Sequence, residues 1–178
     1  MAKNFRQNPV YVKALQIAAD SGESLGYTNY DYTHVETTHR AAIAAYKEAG
    51  ISNPREDISM MEVHDCFSIT EAVTMEDLGI SPRGKVLADI EDGRFDLDGA
   101  QPIQPDGGLK CFGHPIGASG IRMLFEMYKQ LQGRADDLLN PGMPSRQIKN
   151  PKLGLTHNLG GTPDGCMIFV GIVGLEGV

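Results

Sequence analysis

The stretch Gly107-Gly108-Leu109-Lys110-Cys111-Phe112-Gly113-His114-Pro115-Ile116-Gly117-Ala118-Ser119-Gly120 runs directly into Ile121-Arg122-Met123-Leu124-Phe125. Glycines surround a histidine that a following proline holds in place. Clustered glycine lets the backbone turn sharply or approach a ligand closely. Beyond the loop, Ile121, Leu124, Phe125, Tyr128 and Leu131 recur at helical spacing, which predicts a helix with Ser119 as N-cap and Gly133 as its stop. An imidazole held in such a loop can donate a hydrogen bond to a ligand carbonyl and stabilise developing negative charge there. A glycine-rich helix entry can also bind phosphate, but this spacing is not a P-loop and lacks its lysine. A tight turn whose glycines only permit close helix packing uses the same residues.

Upstream, Ile58–Val63 (ISMMEV) reads as a short strand, and His64-Asp65-Cys66-Phe67 separates it from a helix over SITEAVTMEDLG. Ser68 stands three residues before Glu71, a capping-box signature, and Gly79 is a stop. A thiol at a helix start is favoured as thiolate, so Cys66 with His64 fits an acid–base pair. A buried structural cysteine beside a histidine that satisfies a backbone carbonyl fits equally. Downstream, KLGLTHNLGG and CMIFVGIVG read as two strands joined as a hairpin through Gly161-Thr162-Pro163-Asp164-Gly165. The amides around Asn158, Gly160 and Gly161, at the end of the first of these strands, suit either an oxyanion hole or a plain turn.

Towards the N-terminus, PVYVKALQIA reads as a strand, the polar segment 22–39 as a long loop, and RAAIAAYKEAG as a helix. In that helix Ala42, Ala45, Tyr46 and Ala49 form the apolar stripe and Gly50 the stop. Residues 82–108 are rich in Asp, Gly and Pro and read as an extended connection with one short helix. This order of elements predicts a single α/β layered domain spanning residues 1–178.

Composition narrows the function classes. A formal net charge of -7 argues against nucleic-acid binding. No stretch approaches the length of a membrane span. The three cysteines are widely spaced and odd in number, so free thiols in a reducing, cytoplasmic setting are expected. Cys111 and His114, with His64 and Cys66, have zinc-ligand spacing, but the apolar, glycine-rich context argues against a metal. Cys166 is expected in the core, and His34 and His39 at the surface or at caps.

Taken together, EVHDCFSITEAVTMEDLGI, GGLKCFGHPIGASGIRM and THNLGG, with the AGI at 49–51, resemble the C-terminal half of thiolases, above all the sterol-carrier-protein type. The resemblance runs from about Val10 to Gly174. It implies one half of the layered thiolase fold, a mixed sheet packed with helices, with the N-terminal half absent from this chain. It further implies that a cysteine of that other half takes the acyl group, that His114 activates it and lines an oxyanion site, and that His64 holds the water or carbonyl of a second one. The late Cys-x-Gly of other thiolases is missing here; in the sterol-carrier type its proton-transfer role falls to the HDCF cysteine, here Cys66. Asn158, Gly160 and Gly161 would flank the thioester oxygen, and Phe67 and Gly113 would touch substrate.

Lys110-Cys111-Phe112 departs from the smaller, more polar residues usual before GHP. The implied activity is Claisen-type cleavage or condensation of a 3-oxoacyl-CoA, with coenzyme A as substrate and no further cofactor. It would run in complex with a second thiolase-like subunit. Two alternatives stand beside it: a retro-aldolase on acyl-CoA side chains, with an OB-fold and zinc-ribbon partner, and a non-catalytic binding or scaffold subunit.

Overall fold

The computed structural model describes residues 4, 8–20, 33–161 and 166–177. Four strands form one mixed sheet in the order β1-β4-β3-β2. They are β1 (Tyr11–Ala19), β2 (Met60–Glu62), β3 (Leu153–Gly160) and β4 (Met167–Gly174). β3 and β4 pair antiparallel from Leu153↔Gly174 to Gly160↔Met167, so the expected hairpin is present. Its turn residues, 162–165, lie outside the described residues. β1 pairs antiparallel with β4, while β2 runs parallel to β3. The short β2 gains a further neighbour: Met61 N donates to Pro102 O, and Gln104 N to Met61 O.

Alternation along the strands sorts the sheet into two faces. Met61, Leu155, Ile168, Val170 and Ile172 point towards α1 (Glu36–Ala49) and α3 (Ser68–Asp77). Met60 and Val173 point the other way and pack with Met127 and Leu131 of α6 (Ile116–Leu131). α6 lies close to the sheet because β3 has Gly154 there, where a Cβ would run into Met127 and Met60. Short helices α2 (Pro54–Asp57), α4 (Val86–Glu91) and α5 (Gly108–Phe112) occupy the connections. No helix among the described residues is long and apolar enough to cross a membrane.

α1 keeps the expected stripe and stop, with Ala42, Ala45 and Tyr46 buried and Gly50 ending the helix at φ 74°, but it starts at Glu36, four residues inside the segment expected as loop. The other two helix starts differ as well. Phe67, not Ser68, is the N-cap of α3; Ser68 is already helical, and no side chain caps the helix. α6 begins at Ile116 rather than after Ser119, because Pro115 fixes the entry and its carbonyl accepts the amides of Ala118 and Ser119. Most of the expected α6 stripe also points elsewhere, although Leu131 is buried against the sheet. Ile121 is 70% exposed and Phe125 50% exposed, whereas Met123 and Met127 are fully buried. α6 therefore carries two apolar faces, and only the methionine face meets this chain's own sheet.

This division predicts unequal mutational costs. Met127→Ala should cost about 2–5 kcal/mol in urea unfolding, and Ile121→Ala should stay within about 0.5 kcal/mol. The reverse order would place the sheet against the other face of α6.

Candidate active site

β2 leads directly into His64, and its parallel pairing with β3 brings His64 towards Asn158 at the same end of the sheet. Asp65 then turns away from solvent and reaches across to the second loop. Its Oδ1 accepts from Leu109 N at 2.9 Å and its Oδ2 from Lys110 N at 3.4 Å, at the opening of α5. A carboxylate at this end of a helix satisfies amides that have no partner within the helix. Gly108 leaves room for it: the backbone there has φ +63°, and a Cβ would lie 2.5 Å from Asp65 Oδ2.

With the two loops tied together, the rings of His64 and His114 meet edge to face, 5.0 Å between centroids and 77° between planes. His64 is buried and its Nδ1 has no hydrogen-bond partner among the described residues. Burial lowers its pKa, and the neighbouring charge of a protonated His114 lowers it further against the opposing pull of Asp65. His114 is exposed at the loop, and its Nδ1 lies 2.9 Å from Ser119 Oγ. Ser119 in turn donates to Pro115 O at 3.4 Å. In that arrangement His114 Nδ1–H donates to the serine, leaving the Nε2 lone pair free to accept a proton.

The histidines open onto a cleft of about 260 Å³ that Asn158, Leu159 and Gly160 also line. Its remaining wall is apolar: Ile17, Ile116, Met167 and Phe169. An imidazole with an open ring nitrogen, a second imidazole, backbone amides and an apolar wall are what proton transfer beside a polarised carbonyl requires. A larger cleft of about 510 Å³ lies between α3 and α4, lined by residues such as Ile69, Glu76 and Arg83. It contains no histidine or cysteine, so the smaller cleft is the candidate site.

Other expected residues sit at or beyond its rim. Cys66 is exposed, with its thiol 3.8 Å from Thr70 Oγ1, and it is not among the residues lining the cleft. Phe67 is 70% exposed beside it. Gly113 and Gly161 are exposed and also outside the lining. Cys166 is buried as expected, and His39 Nδ1 lies 3.2 Å from Asp77 O at the α1–α3 contact. Among the described residues no group of three or more His, Cys, Asp or Glu side chains is arranged to hold a metal ion.

Sequence reasoning missed the supporting roles of Asp65 and Ser119, along with the apolar lining from β1 and β4. It also missed His157 as a buried group. That ring is fully buried, its Nε2 is 3.1 Å from Thr38 Oγ1, and burial together with the charge of a protonated His64 pushes its pKa down to about 3. The usable signal was its place in an apolar strand, where an inward-facing histidine must stay neutral.

Two outcomes follow from this geometry. Asp65→Ala, measured by thermal unfolding, should cost about 1–3 kcal/mol through the orphaned amides. The second concerns acid stability. His157 binds a proton in the unfolded chain below its ordinary value of 6.5 but not in the folded chain until about 3. Stability is therefore retained above 6.5 and lost as pH falls through that window, by up to about 1.4 kcal/mol per pH unit. His157→Gln should flatten that slope in pH-dependent urea titrations; an unchanged slope would show that other groups set it.

Comparison with known proteins places this geometry in a family. Residues 21–170 match the family model described as thiolase C-terminal domain-like. Acetyl-CoA acetyltransferase of Methanothermobacter thermautotrophicus is 41% identical over 162 residues, covering 91% of this chain and 39% of that protein. Human sterol carrier protein 2 is 36% identical over 125 residues, covering 70% of this chain and 21% of that protein. Among solved structures, that of an "Ltp2-ChsH2(DUF35) aldolase" aligns with a TM-score of 0.73 at 20% identity, covering 96% of this chain and 41% of that chain. This chain thus spans about two fifths or less of these proteins. It belongs to the thiolase C-terminal domain-like family and corresponds to a C-terminal thiolase-type half.

Proposed function

We propose that this chain supplies the acid–base and oxyanion groups for Claisen-type cleavage or formation of a carbon–carbon bond in a 3-oxoacyl-CoA. A second thiolase-type subunit or segment supplies the nucleophilic cysteine. The observation that carries the reading is the edge-to-face meeting of His64 and His114 over a cleft bordered by Asn158 and Gly160. In the cleavage direction His114 Nε2 takes the proton from the partner's cysteine, whose thiolate attacks the 3-oxo carbon. The Cα–Cβ bond breaks, its electron pair moves into the thioester enolate, and an acid returns a proton to Cα. Cys66 is assigned that proton transfer. His64 and the amides around Gly160 stabilise the negative oxygens. Coenzyme A then removes the acyl group from the cysteine, and the chemistry calls for no other cofactor.

The unfilled surfaces support the second subunit. α6 turns Ile121, Phe125 and the 84%-exposed Ile116 outward, and the sheet face beside it exposes Ile17 and Met167. A soluble chain seldom leaves such an apolar face bare. Cys66 and Cys111 are free thiols, which fits a reducing compartment, with the cytoplasm as the proposed location.

A retro-aldol reaction on an acyl-CoA side chain, with an OB-fold and zinc-ribbon partner, is the second reading. What favours it is a cleft lined by two histidines and no thiol, because retro-aldol cleavage needs no acylated cysteine. The aligned Ltp2-ChsH2(DUF35) structure is itself that of an aldolase.

The native complex should thiolyse a 3-oxoacyl-CoA. His114→Ala within it should lower turnover by about 10²–10⁴-fold, and His64→Ala should also slow it. Cleavage of a 3-hydroxyacyl-CoA without thiolysis would select the aldolase. Near-normal thiolysis by His114→Ala would overturn the assignment.

A further inference from the structure

Behind the histidines, on the α6 side of the sheet, lies a cluster of charged groups that the proposed chemistry does not use. Glu62 is the last residue of β2, fully buried, and pairs in register with Thr156 of β3. Arg122 extends from α6, where it follows Ser119 by one turn, with its Nη2 2.9 Å from Glu62 Oε2. Its Nη1 binds the Asp106 carboxylate, and its guanidinium lies 5.4 Å from the centre of the Phe112 ring. Asp106 also accepts the amide of Gly108 at 2.9 Å. One guanidinium, carried by the same helix as Ser119, therefore touches the strand that delivers His64, the loop that opens α5 and the residue two positions before His114.

We propose that Arg122, braced by Glu62 and Asp106, is a positioning residue that fixes the orientation and tautomer of His114 against Ser119 and His64. The guanidinium suits this role because its planar fork can hold two carboxyl groups at once while one face stacks on an aromatic ring. A lysine ammonium carries the same charge but cannot reproduce that shape.

Two carboxyls on one cation leave an excess negative charge if both ionise. Burial raises the Glu62 carboxyl well above the ordinary carboxylate range, and the charge of Asp106 raises it further against Arg122. Several atoms here lack an aligned hydrogen bond among the described residues, including both Glu62 oxygens, Thr156 Oγ1 and Arg122 Nε. The contact between Arg122 and Glu62 is thus a brace of close fit, without a well-formed hydrogen bond.

The role assigned to His114 rests on the proposed function, but the test does not need activity. Long-range ¹H–¹⁵N spectra of the imidazoles in the full chain report tautomer and titration for each histidine. Arg122→Lys should change the His114 tautomer balance and move its titration midpoint by about half a pH unit or more, with His64 shifting too. Glu62→Gln, which keeps the shape of the side chain, should leave both histidines as they are. His39, at the α1–α3 contact, should stay unchanged in either variant. The proposal is overturned if Arg122→Lys leaves His114 at its wild-type tautomer and midpoint. It is equally overturned if His39 moves as far as His114, which would indicate general loosening, or if Glu62→Gln displaces His114 as much as Arg122→Lys does. Loss of thiolysis in the complex with unperturbed imidazoles would count against the positioning role while leaving the proposed reaction intact.

Discussion

The carboxylate of Asp65 accepts the opening amides of α5, joining positions 44 residues apart in sequence. Ordering two loops against each other costs conformational entropy, and a pair of weak contacts between flexible tips would not offset it. A buried carboxylate on two amides does, because leaving either side unmatched would strand polar groups away from water. The strand that ends in Glu62 sets where Asp65 can reach, and Gly108 clears the space in which it lands. Once this bond exists, His64 and His114 have little choice but to meet. The site is thereby built on a strand end and a helix entry, which hold side chains more tightly than free loops do.

The sheet is covered unevenly, and the cleft inherits that asymmetry. α1 packs against β1 and β4 on one face, whereas α6 packs against β3 and β2 on the other. On the α6 side, no helix among the described residues covers the half of the sheet formed by β1 and β4, and Ile17, Met167 and Phe169 form one wall of the histidine cleft there. His64, His114 and Asn158 form the polar side of the cleft, and the apolar side is exposed at Ile17, Ile116 and Met167.

Strands and the first helix were readable because their signals are local. Alternating or continuous apolar runs bounded by glycine gave β3, β4 and α1 directly. The α6 stripe misled because the helix is apolar on two sides, and periodicity reports a face without saying what covers it. Ser119 misled for a related reason. A serine after glycines looks like a cap, but Pro115 starts the helix earlier and turns that hydroxyl towards His114. The histidines themselves stood out through their glycine and helix-start contexts. Their supports did not, since Asp65, Asp106 and Arg122 gain meaning only when distant segments are brought together. Glu62 offered one hint, a lone acid in the apolar run MMEV.

β1 forms an outer edge of the sheet, and such an edge is a template on which another strand can extend the ladder. Here the side chain of Glu48 on α1 occupies part of that template, accepting from Leu15 N at 3.1 Å and from Gln16 Nε2 at 2.7 Å. An incoming strand would have to displace a carboxylate from the backbone it sought to pair with. Growth of the sheet past β1, the route to fibrous self-association, is thus obstructed at the midpoint of that strand. A single acidic side chain of α1 thus guards the edge strand that the same helix packs against.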